Sequence, residues 1–120
     1  MKKILIVDDQ PSIAMVLGDI LEEGDFEVIT AVNGEMGILK AKSEKPDLII
    51  MDIMMPVKDG ITAIRELRGM GEFKNIPIFI LSAKGGTHDT NLVEELNLNG
   101  FIQKPFSPGV ILEEIGKALS

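Results

Sequence analysis

Reactive polar residues follow four short apolar runs of this 120-residue chain. Aliphatic residues dominate the runs, and each run leads into a carboxylate, a hydroxyl or an ammonium group. Three carboxylates, one hydroxyl and one ammonium suit the binding of a divalent metal and a phosphoryl group, and would be costly to bury in a core. The runs are residues 4–7 before Asp8 and Asp9, 48–51 before Asp52, 78–81 before Ser82, and 101–102 before Gln103 and Lys104.

Each of these polar residues also has an ordinary explanation. An aspartate after a strand commonly forms a turn or caps a helix, and a single serine or lysine commonly lies in solvent. Their joint placement carries more weight, because the carboxyl ends of parallel strands meet at one edge of a sheet. The spacing therefore predicts one shared functional site.

The elements that must position this site alternate along the chain between apolar strands and amphipathic helices. Such alternation predicts βαβ units and a parallel sheet. Right-handed crossovers place helices on both faces, so we predict an α/β fold of (βα)5 type, a doubly wound sandwich. The predicted strands are residues 3–8, 26–31, 47–52, 76–81 and 100–103.

Boundary signals separate the five predicted helices. Asparagine, aspartate and serine suit N-caps, proline suits the first helical position, and glycine or proline suits the end. The signals are Pro11 and Gly24 for the first helix, Asn33 and Pro46 for the second, Asp59 and Gly69 for the third, Thr87 or Asp89 for the start of the fourth, and Ser107 with Pro108 for the start of the fifth.

Composition predicts one domain, residues 1–120, in a soluble cytoplasmic protein. Hydrophobic residues make up 45% of the chain, cysteine is absent, and no apolar stretch reaches the roughly 18 residues of a membrane span. Lys2 and Lys3 precede only four apolar residues, too few for a signal peptide. Twelve basic and nineteen acidic residues give a net charge of −7, which argues against direct nucleic-acid binding.

The charges of the predicted site indicate its chemistry. Three neighbouring carboxylates repel one another unless a cation joins them, and Mg²⁺ commonly bridges carboxylates to a phosphate. Asp52 stands alone at the end of the central apolar run and can act as the nucleophile, forming an acyl phosphate. Lys104 can neutralise phosphoryl oxygens, and Ser82 can donate a hydrogen bond to another.

These residues resemble the receiver domain of two-component response regulators, in order and over nearly the whole chain. The resemblance implies a flavodoxin-like fold with strand order 2-1-3-4-5, the order found in flavodoxins and chemotaxis receivers. It implies a signalling protein and not an enzyme, although this signalling protein would catalyse its own phosphorylation and autodephosphorylation. The motifs are KILIVDD ending at Asp9, PDLIIMDIMMP from Pro46 to Pro56, Asp59-Gly60, Ser82-Ala83, and Lys104-Pro105-Phe106.

The resemblance also assigns roles to single residues. Asp52 would accept a phosphoryl group from a phosphohistidine of a sensor histidine kinase or phosphotransfer protein. Asp8, Asp9, Asp52 and the backbone carbonyl of Met54 would hold Mg²⁺. The implied switch pairs Ser82, which would draw in residues 83–87, with Phe101, and it changes the surface of the fourth helix, fifth strand and fifth helix that binds a downstream protein target. The Lys104–Pro105 bond would be cis.

Some positions depart from the commonest family pattern. Met54 is apolar and cannot orient a hydrolytic water, so we predict that Met54 and Lys84 set the rate of autodephosphorylation. Glu113 and Glu114 stand where many DNA-binding members carry arginines that pair across a symmetric dimer. We therefore predict a monomer or a weak phosphorylation-dependent dimer.

Alternatives remain open from the residues alone. The chain could be a stand-alone regulator, or a receiver cut from a longer DNA-binding regulator or hybrid kinase. A flavodoxin would share the fold, but Asp8 and Asp9 would repel the flavin phosphate. A Mg²⁺-dependent phosphohydrolase also forms an aspartyl phosphate, yet it leaves Ser82, Phe101 and Lys104 without roles.

Overall fold

The computed structural model describes residues 1–53, 55, 57–82 and 87–120, with the side chains of 87–90 excepted. Strands and helices alternate through these residues, as predicted. The strands are β1 Lys3–Val7, β2 Glu27–Ala31, β3 Leu48–Asp52, β4 Ile78–Ser82 and β5 Gly100–Gln103. The helices are α1 Pro11–Glu23, α2 Gly34–Glu44, α3 Gly60–Arg68, α4 Thr87–Glu95 and α5 Pro108–Leu119, with a 3₁₀ turn at Gly71–Phe73.

The strands form one parallel sheet in the order β2-β1-β3-β4-β5. This order confirms the prediction of a flavodoxin-like, doubly wound sheet. β1 and β3 lie at its centre, with Val7 opposite Met51 in the register, and β4 aligns Ser82 with Gln103 of β5. All five strands therefore end at the same edge.

Alternate residues of the central strands face two separate cores, because successive side chains of a strand point to opposite faces. Leu5 and Val7 lie in a buried cluster with residues of α2, α3 and α4. Ile4 and Ile6 lie in a second cluster with residues of α1 and α5. The sheet is thus covered on both faces, which explains why its central strands are apolar throughout.

Two predicted N-caps are present in the structure. The Asn33 side chain accepts a hydrogen bond from the Met36 amide at 2.8 Å, and Asp59 accepts one from the Thr62 amide at 2.8 Å. Ser107 precedes α5 but its side chain makes no capping bond. Helix α4 begins at Thr87, one of the two predicted starts.

The beginning of β4 differs from the prediction by two residues. Residue 76 was expected to open the strand, but the strand begins at Ile78. Pro77 has no amide hydrogen for the ladder, and the carbonyl of Ile76 accepts a hydrogen bond from Arg68 instead. The 3₁₀ turn before the strand was not predicted, and it carries the buried Phe73 into the core.

We expect Asp59→Ala to lower the free energy of unfolding by about 1 kcal/mol, because the Thr62 amide would lose its acceptor. Urea denaturation of both proteins measures the difference. Ser107→Ala is the matched control, since Ser107 stands at the same helix position without a side-chain bond. Equal losses in the two variants would contradict the capping role of Asp59.

No helix within the described residues is long and apolar enough to cross a membrane.

Candidate functional site

The predicted polar residues meet at the carboxyl edge of the sheet. Asp8 directly follows β1, and Asp52 and Ser82 are the last residues of β3 and β4. Lys104 directly follows β5, and its amide donates to the carbonyl oxygen of Ser82 at 2.9 Å. Parallel strands in adjacent positions thus deliver two carboxylates, a hydroxyl and an ammonium to one place.

Three carboxylates form the acidic part of the site. One carboxylate oxygen each from Asp8, Asp9 and Asp52 lies within 4.8 Å of the other two. Asp8 and Asp52 are only 2% and 8% exposed, whereas Asp9 is exposed. The cluster is therefore buried on one side and open to solvent on the other.

Asp8 occupies an unfavourable electrostatic position. Its Oδ1 accepts a hydrogen bond from the Gln10 amide at 2.9 Å, while its buried Oδ2 has no hydrogen-bond partner within the described part of the chain. The pKa of Asp8 is raised to about 6, chiefly by burial; the Gln10 amide and Lys104 act to lower it, and the neighbouring Asp52 acts to raise it. One oxygen of this buried carboxylate therefore lacks a hydrogen-bond donor among the described residues.

These residues fit a hard divalent cation. Mg²⁺ takes oxygen ligands and is commonly bound through one or two carboxylates together with water and phosphate. The lone Oδ2 of Asp8 provides a buried acceptor, and Asp9 provides one on the solvent side. The fourth predicted ligand, the carbonyl of Met54, lies outside the described residues.

Ser82, at the end of β4, and Lys104, after β5, lie on the side of Asp52 away from β1. The side chain of Lys104 is partly buried, and its charge acts on Asp8. Ser82 is 6% exposed. The Lys104–Pro105 peptide bond is cis, as the resemblance implied.

Phe101 is partly buried and packs against the core on the α2, α3 and α4 face. It also lines a cavity of about 400 Å³ between β5 and α5, together with Lys104, Pro105 and Val110. Both a core role and a role in a changing surface are compatible with this position. The cavity connects the predicted switch aromatic with the predicted phosphoryl-binding lysine.

Gly60 has a role that its motif alone did not reveal. A Cβ atom at this position would collide with the carbonyl oxygen of Asp52 and lie 2.7 Å from the Cα of Ile53. The Gly60 amide donates to the carbonyl of Ile53 at 3.3 Å. The start of α3 is therefore packed against the backbone of Asp52, and the Asp-Gly pair at a helix start was the only signal for it.

Some predicted residues cannot be placed. Residues 83–86, which include Lys84 and most of the predicted switch loop, lie outside the described residues, as does Met54. The side chains of Thr87 and Asp89 are also outside them.

Comparison with known proteins identifies the class. The response regulator receiver domain family matches residues 4–116, nearly the whole chain. The chain belongs to this family of two-component signalling domains. Receiver domains are signalling proteins that typically bind Mg²⁺ at an acidic pocket and interact with histidine kinases or phosphotransfer partners and with downstream targets.

Some relatives are about as long as this chain, and others are more than twice as long. The chain is 45% identical over 107 residues to the alkaline phosphatase synthesis transcriptional regulatory protein PhoP of Bacillus subtilis, covering 89% of this chain but 44% of PhoP. It is 39% identical to the chemotaxis protein CheY of Bacillus subtilis, covering 98% of both, and 34% identical to protein PilH of Pseudomonas aeruginosa, covering 100% of this chain and 99% of PilH. The chain thus spans less than half of PhoP.

Solved structures agree with the fold. The chemotaxis protein CheY4 of Vibrio cholerae superposes with a TM-score of 0.92 at 30% identity, over 99% of both chains. A response regulator from Chloroflexus aurantiacus gives a TM-score of 0.93 at 30% identity, over 98% of this chain and 97% of that one.

Proposed function

We propose that this chain is a phosphoacceptor domain of a two-component or phosphorelay system, and that Asp52 accepts the phosphoryl group. The observation that carries the proposal is the buried pair of carboxylates, Asp8 and Asp52, at the carboxyl edge of the sheet, with the charge of Lys104 acting on Asp8. A buried, unsatisfied carboxylate is costly to a fold, and such groups cluster at functional sites.

In the proposed step, a carboxylate oxygen of Asp52 attacks the phosphorus of a phosphohistidine. The new O–P bond forms as the P–N bond breaks, and the imidazole leaves with the electron pair and takes up a proton. The donor is a sensor histidine kinase or a phosphotransfer protein. The product is a mixed anhydride of the Asp52 carboxylate and phosphate.

Asp8, Asp9 and Asp52 would hold Mg²⁺, with the carbonyl of Met54 as a further ligand. The bound ion supplies positive charge that offsets the carboxylates and the phosphoryl oxygens. The protein's part is to keep Asp8 buried and fixed by the Gln10 amide, and to keep Asp9 open to solvent. This arrangement admits an anionic group to an otherwise acidic pocket.

Lys104 and Ser82 would bind the phosphoryl group once it is attached to Asp52. The Lys104 ammonium pairs with phosphoryl oxygens, and the Ser82 hydroxyl donates to another. The bond from the Lys104 amide to the Ser82 carbonyl joins the ends of β4 and β5, so the backbones that carry the two groups lie side by side. Phe101 would turn inward as Ser82 moves, changing the surface of α4, β5 and α5 that binds a protein target.

The remaining features of the proposal rest on the sequence and on where it matches or departs from the family. Residues 1–120 form the receiver domain of a cytoplasmic regulator that acts as a monomer or a weak phosphorylation-dependent dimer. It does not bind nucleic acid or membrane directly, and it catalyses only its own phosphorylation and autodephosphorylation, the latter at a rate set by Met54 and Lys84. A stand-alone regulator and a receiver within a longer regulator or hybrid kinase both remain compatible with this chemistry.

We expect the protein to gain one phosphoryl group when incubated with Mg²⁺ and acetyl phosphate, as measured by intact mass. Excess EDTA added beforehand should prevent the adduct from forming, because the acidic pocket without its metal would repel the anionic donor. An adduct that forms equally well with EDTA would contradict the proposed metal site. Multiple turnover on a phosphomonoester, with no adduct, would instead indicate a phosphohydrolase.

A further inference from the structure

Arg68 joins three separate segments of the chain. It is the last residue of α3, and its partly buried guanidinium donates hydrogen bonds only to backbone carbonyl groups in the described structure. Nη1 and Nη2 make the shortest bonds. The acceptors are the carbonyls of Ile76 at 2.8 Å, Asn97 at 2.8 Å, Phe73 at 2.9 Å, Leu96 at 3.3 Å and Lys74 at 3.3 Å.

No salt bridge to Arg68 is found among the described residues. Burial lowers the pKa of this guanidinium. An arginine held by carbonyl groups alone serves geometry more than charge pairing, because its planar fork fixes the directions of its partners. Three of those carbonyls precede β4 and two follow α4.

The carboxyl end of α4 is built to present its carbonyls to Arg68. Asn97 has a left-handed φ of 55°, and the Leu98 amide donates to the carbonyl of Val93 at 2.9 Å. This Schellman-type ending turns the chain and leaves the carbonyls of Leu96 and Asn97 for other donors. The positive charge of Arg68 at this end also interacts favourably with the negative end of the α4 dipole.

A second arginine of α3 holds the same end of α4. The Arg65 guanidinium lies 2.7 Å from a carboxylate oxygen of Glu95, the last residue of α4. Leu96 is buried in the core cluster that also contains Leu67 of α3. The carboxyl end of α4 is thus held to α3 by two arginines and shares a buried core with it.

The two ends of α4 belong to opposite edges of the sheet. The amino end follows Ser82 along the chain, at the edge that carries Asp52, while the carboxyl end leads into the start of β5. At nine residues the helix is roughly 13 Å long. If the amino end of α4 is displaced, its carboxyl end therefore stays in place, because Arg68 and Arg65 hold it.

We propose that Arg68, assisted by Arg65, is a positioning residue that anchors the carboxyl end of α4, so that phosphorylation rotates the helix about this end instead of shifting it as a whole. The inference rests on the proposed function, since it assigns a pivot to the output surface of the same switch. It also assigns an output role to a residue at the edge of the sheet opposite Asp52.

Hydrogen exchange of individual amides, with and without phosphorylation by acetyl phosphate, tests the anchor, and intact mass measures the extent of phosphorylation in the same samples. In the wild type we expect phosphorylation to change exchange at residues 91–93 and leave that at 97–99 unchanged. In Arg68→Lys we expect exchange at 97–99 to rise on the order of tenfold before phosphorylation and to respond to phosphorylation as 91–93 does.

Arg65→Gln is a milder variant that removes only an exposed side-chain contact, and it serves if Arg68→Lys does not fold. It should show the same pattern of hydrogen exchange, with a smaller rise at residues 97–99. Lys117→Gln is its matched control, because it breaks an exposed salt bridge with Glu113 within α5 and leaves α4 untouched. A uniform change along α4 in the fully phosphorylated wild type would overturn the anchor alone. Absence of any phosphoryl adduct would overturn the proposed function and the anchor with it.

Discussion

Gly60→Ala should lower the free energy of unfolding by about 3 kcal/mol, a large effect for the addition of one methyl group. The added Cβ would collide with the carbonyl oxygen of Asp52 and approach the Cα of Ile53 to 2.7 Å. Both obstacles are backbone atoms of a fully packed strand end, so neither can move aside cheaply. The start of α3 or the end of β3 must shift instead.

This shift would also reach the proposed chemistry, because the obstructing carbonyl belongs to Asp52. We therefore expect Gly60→Ala to slow phosphorylation by acetyl phosphate as well as to lower the midpoint of urea unfolding. Gly116→Ala is the matched control, since a Cβ there meets nothing within 4 Å and alanine favours the helix by up to about 1 kcal/mol. Similar stability in the two variants would contradict the close packing of α3 against Asp52.

Asp8→Asn should raise the free energy of unfolding of the metal-free protein at neutral pH by about 2–3 kcal/mol, since a shift of one pKa unit corresponds to about 1.4 kcal/mol. Burial raises the pKa of Asp8 from 3.8 to about 6, so the folded state holds this proton more tightly than the unfolded state does. The contribution of Asp8 to stability is therefore most favourable below pH 4 and is lost as the pH rises to 6. Asparagine carries no charge and avoids that loss.

The comparison must be made with EDTA across a pH range. The free energies of unfolding of wild type and Asp8→Asn should converge below pH 4 and separate between pH 4 and 6, with the variant more stable above. Adding Mg²⁺ should stabilise the wild type more than the variant, because the lone Oδ2 of Asp8 then gains a cation.

Asp9→Asn is the matched control, since it removes a carboxylate of the same cluster that is exposed. We expect it to weaken the response to Mg²⁺ with little change in metal-free stability. A metal-free Asp8→Asn protein that is less stable than the wild type at pH 7 would contradict the electrostatic account of Asp8.

The fold was predictable because its signals are local and repeated. Alternating strands and helices, with Asn33 and Asp59 as caps, leave few topologies for a parallel sheet, and the family resemblance supplied the strand order. The start of β4 was harder to predict. It depends on Pro77 and on the bond from Arg68 to the Ile76 carbonyl, a side-chain contact eight residues along the chain that the apolar pattern does not encode.

The candidate site was predictable for a related reason. Asp8, Asp52, Ser82 and Lys104 each lie at the carboxyl end of a strand or directly after it, so a parallel sheet brings them together without any knowledge of side-chain packing. The difference in burial between Asp8 and Asp9 was not predictable, because neighbouring residues in a loop carry no signal for which one turns inward.

Arg68 shows the limit most clearly. An arginine in the last turn of an amphipathic helix ordinarily indicates a solvated surface. Its five carbonyl acceptors come from segments up to 29 residues away, which only the packed structure brings within reach.

The central claim, that Asp52 is the phosphoacceptor, is tested most directly by locating the phosphoryl group. Wild type, Asp52→Asn and Asp9→Asn are incubated with Mg²⁺ and acetyl phosphate, and the acyl phosphate is trapped by borohydride, which reduces it to an alcohol at the modified residue. Peptide mass spectrometry should then find the reduced residue at position 52 in the wild type, at a lower level in Asp9→Asn, and nowhere in Asp52→Asn. A reduced residue at another aspartate, or an adduct of equal extent in Asp52→Asn, would contradict the account.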